Sequence, residues 1–147
     1  MSLDDKDLSI LDELIIDSSQ TTKQLSKKLR IPITTVHNRT KKMQESGVIK
    51  KYTIEPSYEL LGRPIHAYIF ISIAYKPGST SRSQQDIGKE IKRLGATRVS
   101  IVTGETDMIA EVHVSDISEL NNFVTNKLRF IKGVDQTRTT IVLDELS

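Results

Sequence analysis

The spacing of apolar residues changes abruptly near residue 63, from a helical period before it to a period of two immediately after Pro64. Beyond the change, Ile65, Ala67, Ile69, Ile71 and Ile73 alternate with His66, Tyr68, Phe70 and Ser72. Successive side chains of a strand point to opposite faces, so this segment has one apolar face and one that is partly aromatic. The stretch between the two patterns carries Pro56, Gly62 and Pro64, residues that interrupt regular structure. The sequence therefore divides into a helical domain over 1–52, a linker over 53–64 and a second domain over 65–147. With 147 residues in all, each domain sits near the lower size limit for a self-sufficient core, a limit that oligomerisation relieves.

The helical part reads as three short helices. Asp4 can cap the first, with Leu8, Leu11, Leu14 and Ile15 as its apolar stripe and a stop at Asp17, Ser18 and Ser19. Thr21 followed by Gln24 has the form of a capping box and opens a second helix through Leu25 and Leu29. Ile31 and Pro32 break it, since proline lacks an N–H and disfavours helix in the residue before it while suiting the start of the next. A third helix runs through Val36, Thr40 and Met43 and ends at Gly47 as a left-handed cap. Two short helices joined tightly, then Gly47 to Tyr52 as a trailing strand, match a winged-helix-like helix-turn-helix. With Val36, Thr40 and Met43 inward, Thr34, Thr35, His37, Asn38 and Lys41 face out. Asn can pair with adenine, Thr can hydrogen-bond or touch a thymine methyl, and Arg39, Lys41 and Lys42 can take phosphates or guanine.

The second domain alternates strand and helix. After Ile65 to Ile73 come a loop from Pro77 to Arg82, a helix bearing Ile87, Ile91 and Leu94 and stopped by Gly95, and strands from Val99 to Thr103 and Met108 to Val114 around the turn Gly104–Asp107. Asp116 and Glu119 form a possible capping box before Ile117, Leu120, Phe123, Val124 and Leu128 on one helical face; Gly133 closes that helix and a strand runs from Val134 to Leu143. The order βαββαβ makes the fold α+β, with a ferredoxin-like domain in which two helices cover one face of a four-stranded antiparallel sheet. The other face should be polar unless something packs on it. Tyr68 and Phe70 point to a covering partner, economically a second copy of the chain; a snorkelling Tyr and a lone exposed Phe are the alternative.

Net charge is only +2, but from Gln20 to Ile54 nine basic residues (Lys23, Lys27, Lys28, Arg30, Arg39, Lys41, Lys42, Lys50, Lys51) face one acid, Glu45. Such local excess suits a polyanion, because each phosphate neutralised releases condensed counterions. The absence of cysteine excludes disulfides, thiolate nucleophiles and cysteine-bearing zinc sites. His37, His66 and His113 show neither catalytic nor metal spacing, and no glycine-rich phosphate loop occurs, so no catalytic residue, metal or cofactor is expected. The acidic N-terminus lacks the order of a signal peptide and no apolar run approaches a membrane span, which leads to the cytoplasm as the expected location.

The turn Gly104–Asp107 admits a chemical reading. Gly104 permits a positive φ, Asp107 offers a carboxylate to an ammonium group, and Thr137 and Thr139, two apart in a strand, point the same way and can bond a carboxylate. An ordinary β-turn with Asp capping its own backbone, followed by threonines chosen for strand propensity, remains the alternative.

Residues 3–7, Ile10, Leu11, the helix from Thr21 to Leu29, Thr35 to Arg39, Gly47 to Ile49 and Tyr52 resemble the N-terminal half of the leucine- and asparagine-responsive regulators, the Lrp/AsnC family. The turn Gly104, Glu105, Thr106, Asp107 and the strand Thr137 to Leu143 resemble that family's sensor domain. The resemblance implies a regulator that binds double-stranded DNA. It implies a homodimer formed through the C-terminal sheets, with tetramers or octamers as larger forms. It also implies an amino-acid-like effector bound by Gly104, Glu105, Thr106, Asp107, Thr137 and Thr139. Four positions depart from the pattern: Arg30 for a glycine in the turn, Pro32 for a serine cap, Thr40 for an isoleucine, and Met108 for an aromatic. The Thr40 hydroxyl is expected to bond back to the Val36 carbonyl. An effector-independent architectural repressor, and a small ferredoxin-like enzyme with a nucleic-acid tether, are the competing functions.

Overall fold

A computed structural model describes residues 2–75 and 82–146 of the chain. The predicted loop from Pro77 lies outside the described residues as far as residue 81. The chain falls into two compact units, Met1–Glu55 and Pro56–Ser147.

In the first unit, α1 spans Asp5–Ile16, α2 Thr22–Leu29 and α3 Ile33–Glu45. Both predicted caps form. Asp4 and Asp7 accept from each other's backbone N–H at 3.0 Å, and Thr21 and Gln24 close a reciprocal box at 3.1 and 2.8 Å. The link between α2 and α3 turns on Arg30, which takes φ 54 in place of a glycine, and on Pro32, which occupies the N-cap of α3 without a side-chain cap. Ser26 Oγ donates to the Ile31 carbonyl at 2.6 Å and fastens this turn. Ile10, Leu14, Leu25, Ile31, Val36 and Met43 form the core.

Three details of this unit differ from the sequence reading. The inward line of α1 is Asp7, Ile10 and Leu14, while Leu8 and Ile15 are 45% and 73% exposed. A buried aspartate with a partner takes the place that hydrophobicity assigns to Leu8. The Thr40 hydroxyl is buried without a hydrogen-bond partner, so the bond to Val36 is not made. The trailing strand after Gly47 is also absent. Instead, Gly47 at φ 79 and the bond from Ile49 N–H to the Met43 carbonyl at 2.9 Å close α3, and residues 50–57 run on without strand pairing. A strand needs a neighbour for its backbone groups, and among the described residues this unit has none.

In the second unit, β1 spans Ile65–Ile73, α4 Gln84–Arg93, β2 Arg98–Ile101, β3 Met108–Val114, α5 Ile117–Asn122 and β4 Val134–Ile141. The sheet order is β2-β3-β1-β4 with every neighbour antiparallel, the predicted ferredoxin-like arrangement. Ala67, Ile69, Ile71 and Ile73 of β1 and Met108, Ala110, Val112 and Val114 of β3 line one face. Ile87 and Ile91 of α4, with Leu120, Phe123, Val124 and Leu128, complete the core. The second helix is less regular than its periodicity suggests. It passes into a π turn at Phe123–Lys127 and a 3-10 turn at Leu128–Phe130, and Ile117 is 56% exposed. Its capping box is half formed: Asp116 accepts from the Glu119 N–H at 2.7 Å, but Glu119 turns to the N–H and hydroxyl of Ser115, at 2.6 Å each.

Candidate functional site

Helix α3 presents Thr34, His37, Asn38, Lys41 and Lys42 on its exposed surface, with Thr35 partly covered. Thr35, Asn38 and Lys42 line a groove of about 720 Å³ that also contains Asp4 and Asp7. Arg39, half-buried on the same helix, is engaged within its own unit. Its Nη1 lies 2.5 Å from Asp4 Oδ1 and 3.1 Å from Asp7 Oδ1, which ties α3 to the start of α1. The guanidinium hydrogen bond, helped by the Asp7 backbone N–H, holds the Asp4 carboxyl down at about 2, and the two carboxylates raise Arg39 in turn. The signal for this was in the sequence only as the pairing of acids at 4 and 7 with a helix 32 residues further on, which no local pattern discloses.

Of the other basic residues, Lys28 pairs with Glu13, and Lys41 lies 3.9 Å from Glu45 across one helical turn in a fully solvated pair. Among the described residues, Lys23, Lys27, Arg30, Lys42, Lys50 and Lys51 have no carboxylate within ion-pairing distance. The positive field of this unit therefore survives its internal pairing.

The turn of the second unit is anchored to β1. Gly104 has φ 124, which a side chain would strain. Thr106 Oγ1 and the Asp107 N–H both donate to the Ile71 carbonyl at 3.0 Å, and Asp107 Oδ2 accepts from the Ile73 N–H at 2.8 Å. The β1–β4 register shifts between Ile71 and Ile73, so Asp107 supports the backbone at an irregularity of the sheet. One oxygen of that carboxylate is thus already committed, which the sequence reading did not foresee. Thr137 faces Ile71 across β4 and Thr139 faces Ile69. Thr137 Oγ1 is buried without a hydrogen-bond partner, whereas Thr139 and Glu105 are exposed. The turn and Thr137 flank the same segment of β1 from its two sides.

On the opposite face of the sheet, Tyr68 is 36% exposed, and the Arg138 guanidinium lies 5.0 Å from the centre of the half-buried Phe70 ring. At one end of this face the register pairs His66 directly with His113. Their rings stack at 4.3 Å, and Tyr58, from the segment before β1, stacks on His113 at 3.6 Å. His66 Nε2 is 2.8 Å from Glu111 Oε1, and its Nδ1 is 2.5 Å from Glu145 Oε1, close but out of line for a hydrogen bond. His113 Nδ1 shares a proton with Thr97 Oγ1 at 2.9 Å. Burial, and next the neighbouring His66, lower the His113 pKa. Linear spacing hides this cluster because strand register, not sequence separation, assembles it.

Comparison with known proteins places both units. Residues 68–147 match the family described as the Lrp/AsnC ligand binding domain, and residues 3–50 match a winged helix-turn-helix DNA-binding family. An uncharacterized HTH-type transcriptional regulator of Pyrococcus abyssi is 40% identical over 143 residues, covering 97% of this chain and 93% of that protein. A crystal structure of a transcriptional regulator from Neisseria meningitidis in complex with L-Met is similar with TM-score 0.85 and 22% identity, covering 99% of this chain and 93% of that one. The structure of LrpC from B. subtilis is similar with TM-score 0.84 and 22% identity, covering 100% and 99%.

Proposed function

The chain belongs to the Lrp/AsnC family of DNA-binding transcription regulators, and from that premise we propose how its two units divide the work. Helix α3 enters the major groove. Thr34, Thr35, His37 and Asn38 read base edges, and Lys41 and Lys42 hold phosphates. Arg39 is withdrawn from this set because Asp4 and Asp7 occupy it. The observation that carries the proposal is the exposed polar line of α3 in a unit where Lys23, Lys27, Arg30, Lys42, Lys50 and Lys51 have, among the described residues, no carboxylate within ion-pairing distance. Asn38→Ala should relax preference at one base position by about 1–3 kcal/mol. Lys42→Ala should weaken all sequences alike and lower the salt slope by about one. Footprinting and salt titrations read both, and unchanged binding by both variants would remove α3 from the groove.

The protein works in the cytoplasm as a homodimer, or a larger assembly of dimers, joined through the sheet face that bears Tyr68 and Phe70. Among the described residues no helix is long and apolar enough to cross a membrane. Its effector is an amino acid or a similar small zwitterion, a reading supported by the L-Met complex of the Neisseria regulator. Gly104, Glu105, Thr106, Asp107, Thr137 and Thr139 form the pocket. Support comes from the buried, unpartnered Thr137 hydroxyl, which a ligand carboxylate or ammonium would satisfy.

The bond from Ile73 N–H to Asp107 favours a second reading, in which the turn is structural and the protein is an effector-independent architectural repressor. Asp107→Asn separates the two, since the amide oxygen still accepts from Ile73 while the charge is gone. Calorimetry against a panel of amino acids should find a ligand for the wild type that Asp107→Asn binds at least tenfold more weakly. No ligand at all would favour the architectural reading, and equal binding by the variant would move the pocket elsewhere. Catalysis is not part of the proposed function.

A further inference from the structure

The cluster at the end of the open sheet face has the composition of a metal site. His66, Glu111 and His113 each offer one ligand atom, and these atoms lie within 4.8 Å of one another. Two imidazoles and a carboxylate suit a borderline divalent ion such as Zn2+ or Co2+, whereas Mg2+ and Ca2+ prefer all-oxygen shells.

The neighbouring groups strengthen the case. A metal-bound histidine usually engages its second ring nitrogen with an oxygen, which fixes the ring and leaves the other nitrogen for the ion. Here Thr97 Oγ1 stands at His113 Nδ1, and the Glu145 carboxylate stands at His66 Nδ1. The hydrogen bond to Thr97 holds the His113 ring on its Nδ1 side, and at His66 the carboxylate beside Nδ1 leaves Nε2 as the nitrogen turned toward Glu111. At His66 that nitrogen already faces Glu111 Oε1 at 2.8 Å, so an ion would take the place of the proton between them.

We propose that His66, Glu111 and His113 bind one divalent transition-metal ion of the zinc class on the sheet face opposite the helices. Tetrahedral bonds of about 2 Å place ligand atoms about 3.3 Å apart, so the cluster must contract by somewhat more than 1 Å. The two rings, now 14° from parallel, must turn out of their stack so that both lone pairs aim at one point. Side-chain torsions suffice for both movements, because β1–β3 pairing already sets the backbone of all three ligands. The bound ion would fasten β1 to β3 and, through Glu145, the segment after β4. This assignment is independent of the DNA and effector readings.

The test uses the full chain, tag-free and stripped with chelator. Calorimetry with zinc chloride should find one ion per chain, and free Zn2+ at a hundred times Kd should raise the folded-to-unfolded ratio of the protein about a hundredfold. Glu111→Gln and His113→Gln should each weaken binding more than tenfold, with circular dichroism in the absence of zinc matching the wild type. His37→Gln, in the other unit, should bind as the wild type does. In the wild type itself, the ring resonances of His66 and His113 should move on zinc addition while those of His37 stay, a readout that needs no variant to fold. Substoichiometric binding, zinc affinity unchanged in Glu111→Gln and His113→Gln, ring shifts confined to His37, or equal affinity for Mg2+ would each overturn the assignment.

Discussion

The two units are stabilised by different means. Among the described residues the second has sixteen buried apolar residues in one cluster on a four-stranded sheet, the first only six between three short helices. The smaller unit makes up the difference with directed polar contacts: two reciprocal capping boxes and the Arg39 clamp on Asp4 and Asp7. A core held by packing tolerates changes of salt and pH, whereas one held partly by ion pairs does not. Helix α3, proposed to meet DNA, is thus positioned in part by electrostatics, and the sheet that carries the Gly104–Asp107 turn by hydrocarbon.

The strongest challenge to this contrast is a cavity in the packed unit. Ile71→Ala, at a fully buried position of β1, should destabilise the second unit by about 2–5 kcal/mol in thermal or denaturant unfolding, with little dependence on salt. A strong salt dependence of that loss would blur the distinction.

Next in size is the clamp. Arg39→Met should lower the melting midpoint of the first unit and leave Asp7 buried without its cation. The same contact has a pH signature. Because Arg39, with the Asp7 N–H, depresses the Asp4 carboxyl from 3.8 to about 2, the stabilisation from these contacts is complete above about pH 4 and is lost as pH falls toward 2. Circular dichroism should therefore show the helices of the wild type loosening across that window. In Arg39→Met the loss attributable to Asp4 should shrink to the part that the Asp7 N–H sustains, and an unchanged acid transition would show that other carboxylates govern it.

The smallest effect concerns the turn. Arg30 holds a left-handed conformation that costs a residue with a side chain about 1–2 kcal/mol, partly offset because glycine gains freedom when unfolded. Arg30→Gly should stabilise the first unit by about 0.5–1 kcal/mol in denaturant titration. Destabilisation would mean that the Arg30 side chain contributes to the fold by some other route.

What could be read from the sequence follows the same division. Period-two alternation from Ile65 to Ile73 fixed β1 and its buried face to the residue, and the caps at Asp4 and Thr21 located two helix starts, because these signals are local. The inward face of α1 was read only in part: Leu11 and Leu14 pack on the core as expected, but burial of Asp7 depends on a guanidinium 32 residues away. For the same reason the pairing of Arg39 with Asp4 and Asp7 was out of reach of any local pattern. The Gly104–Asp107 turn was visible as a turn, but the grip of Asp107 on Ile73 depends on a strand 34 residues earlier. His66, Glu111 and His113 lie on the outward phase of β1 and β3, yet only the pairing of His66 with His113 brings them together.

The grip of Asp107 on Ile73 also bears on discrimination between ligands. A small zwitterion that takes Asp107 Oδ2 from the Ile73 N–H, in place of binding the second oxygen, leaves that N–H unsatisfied, a handicap of about 1–3 kcal/mol. That corresponds to roughly 5- to 150-fold in affinity. Every amino acid carries the same ammonium and carboxylate, so every one that binds this way incurs the same handicap at this turn. The parts of the ligand that differ must recover it. Selectivity would then reside in how well a side chain fills the space around Thr137 and the end of β1, and glycine, with no side chain to contribute, should be the weakest amino acid in any series.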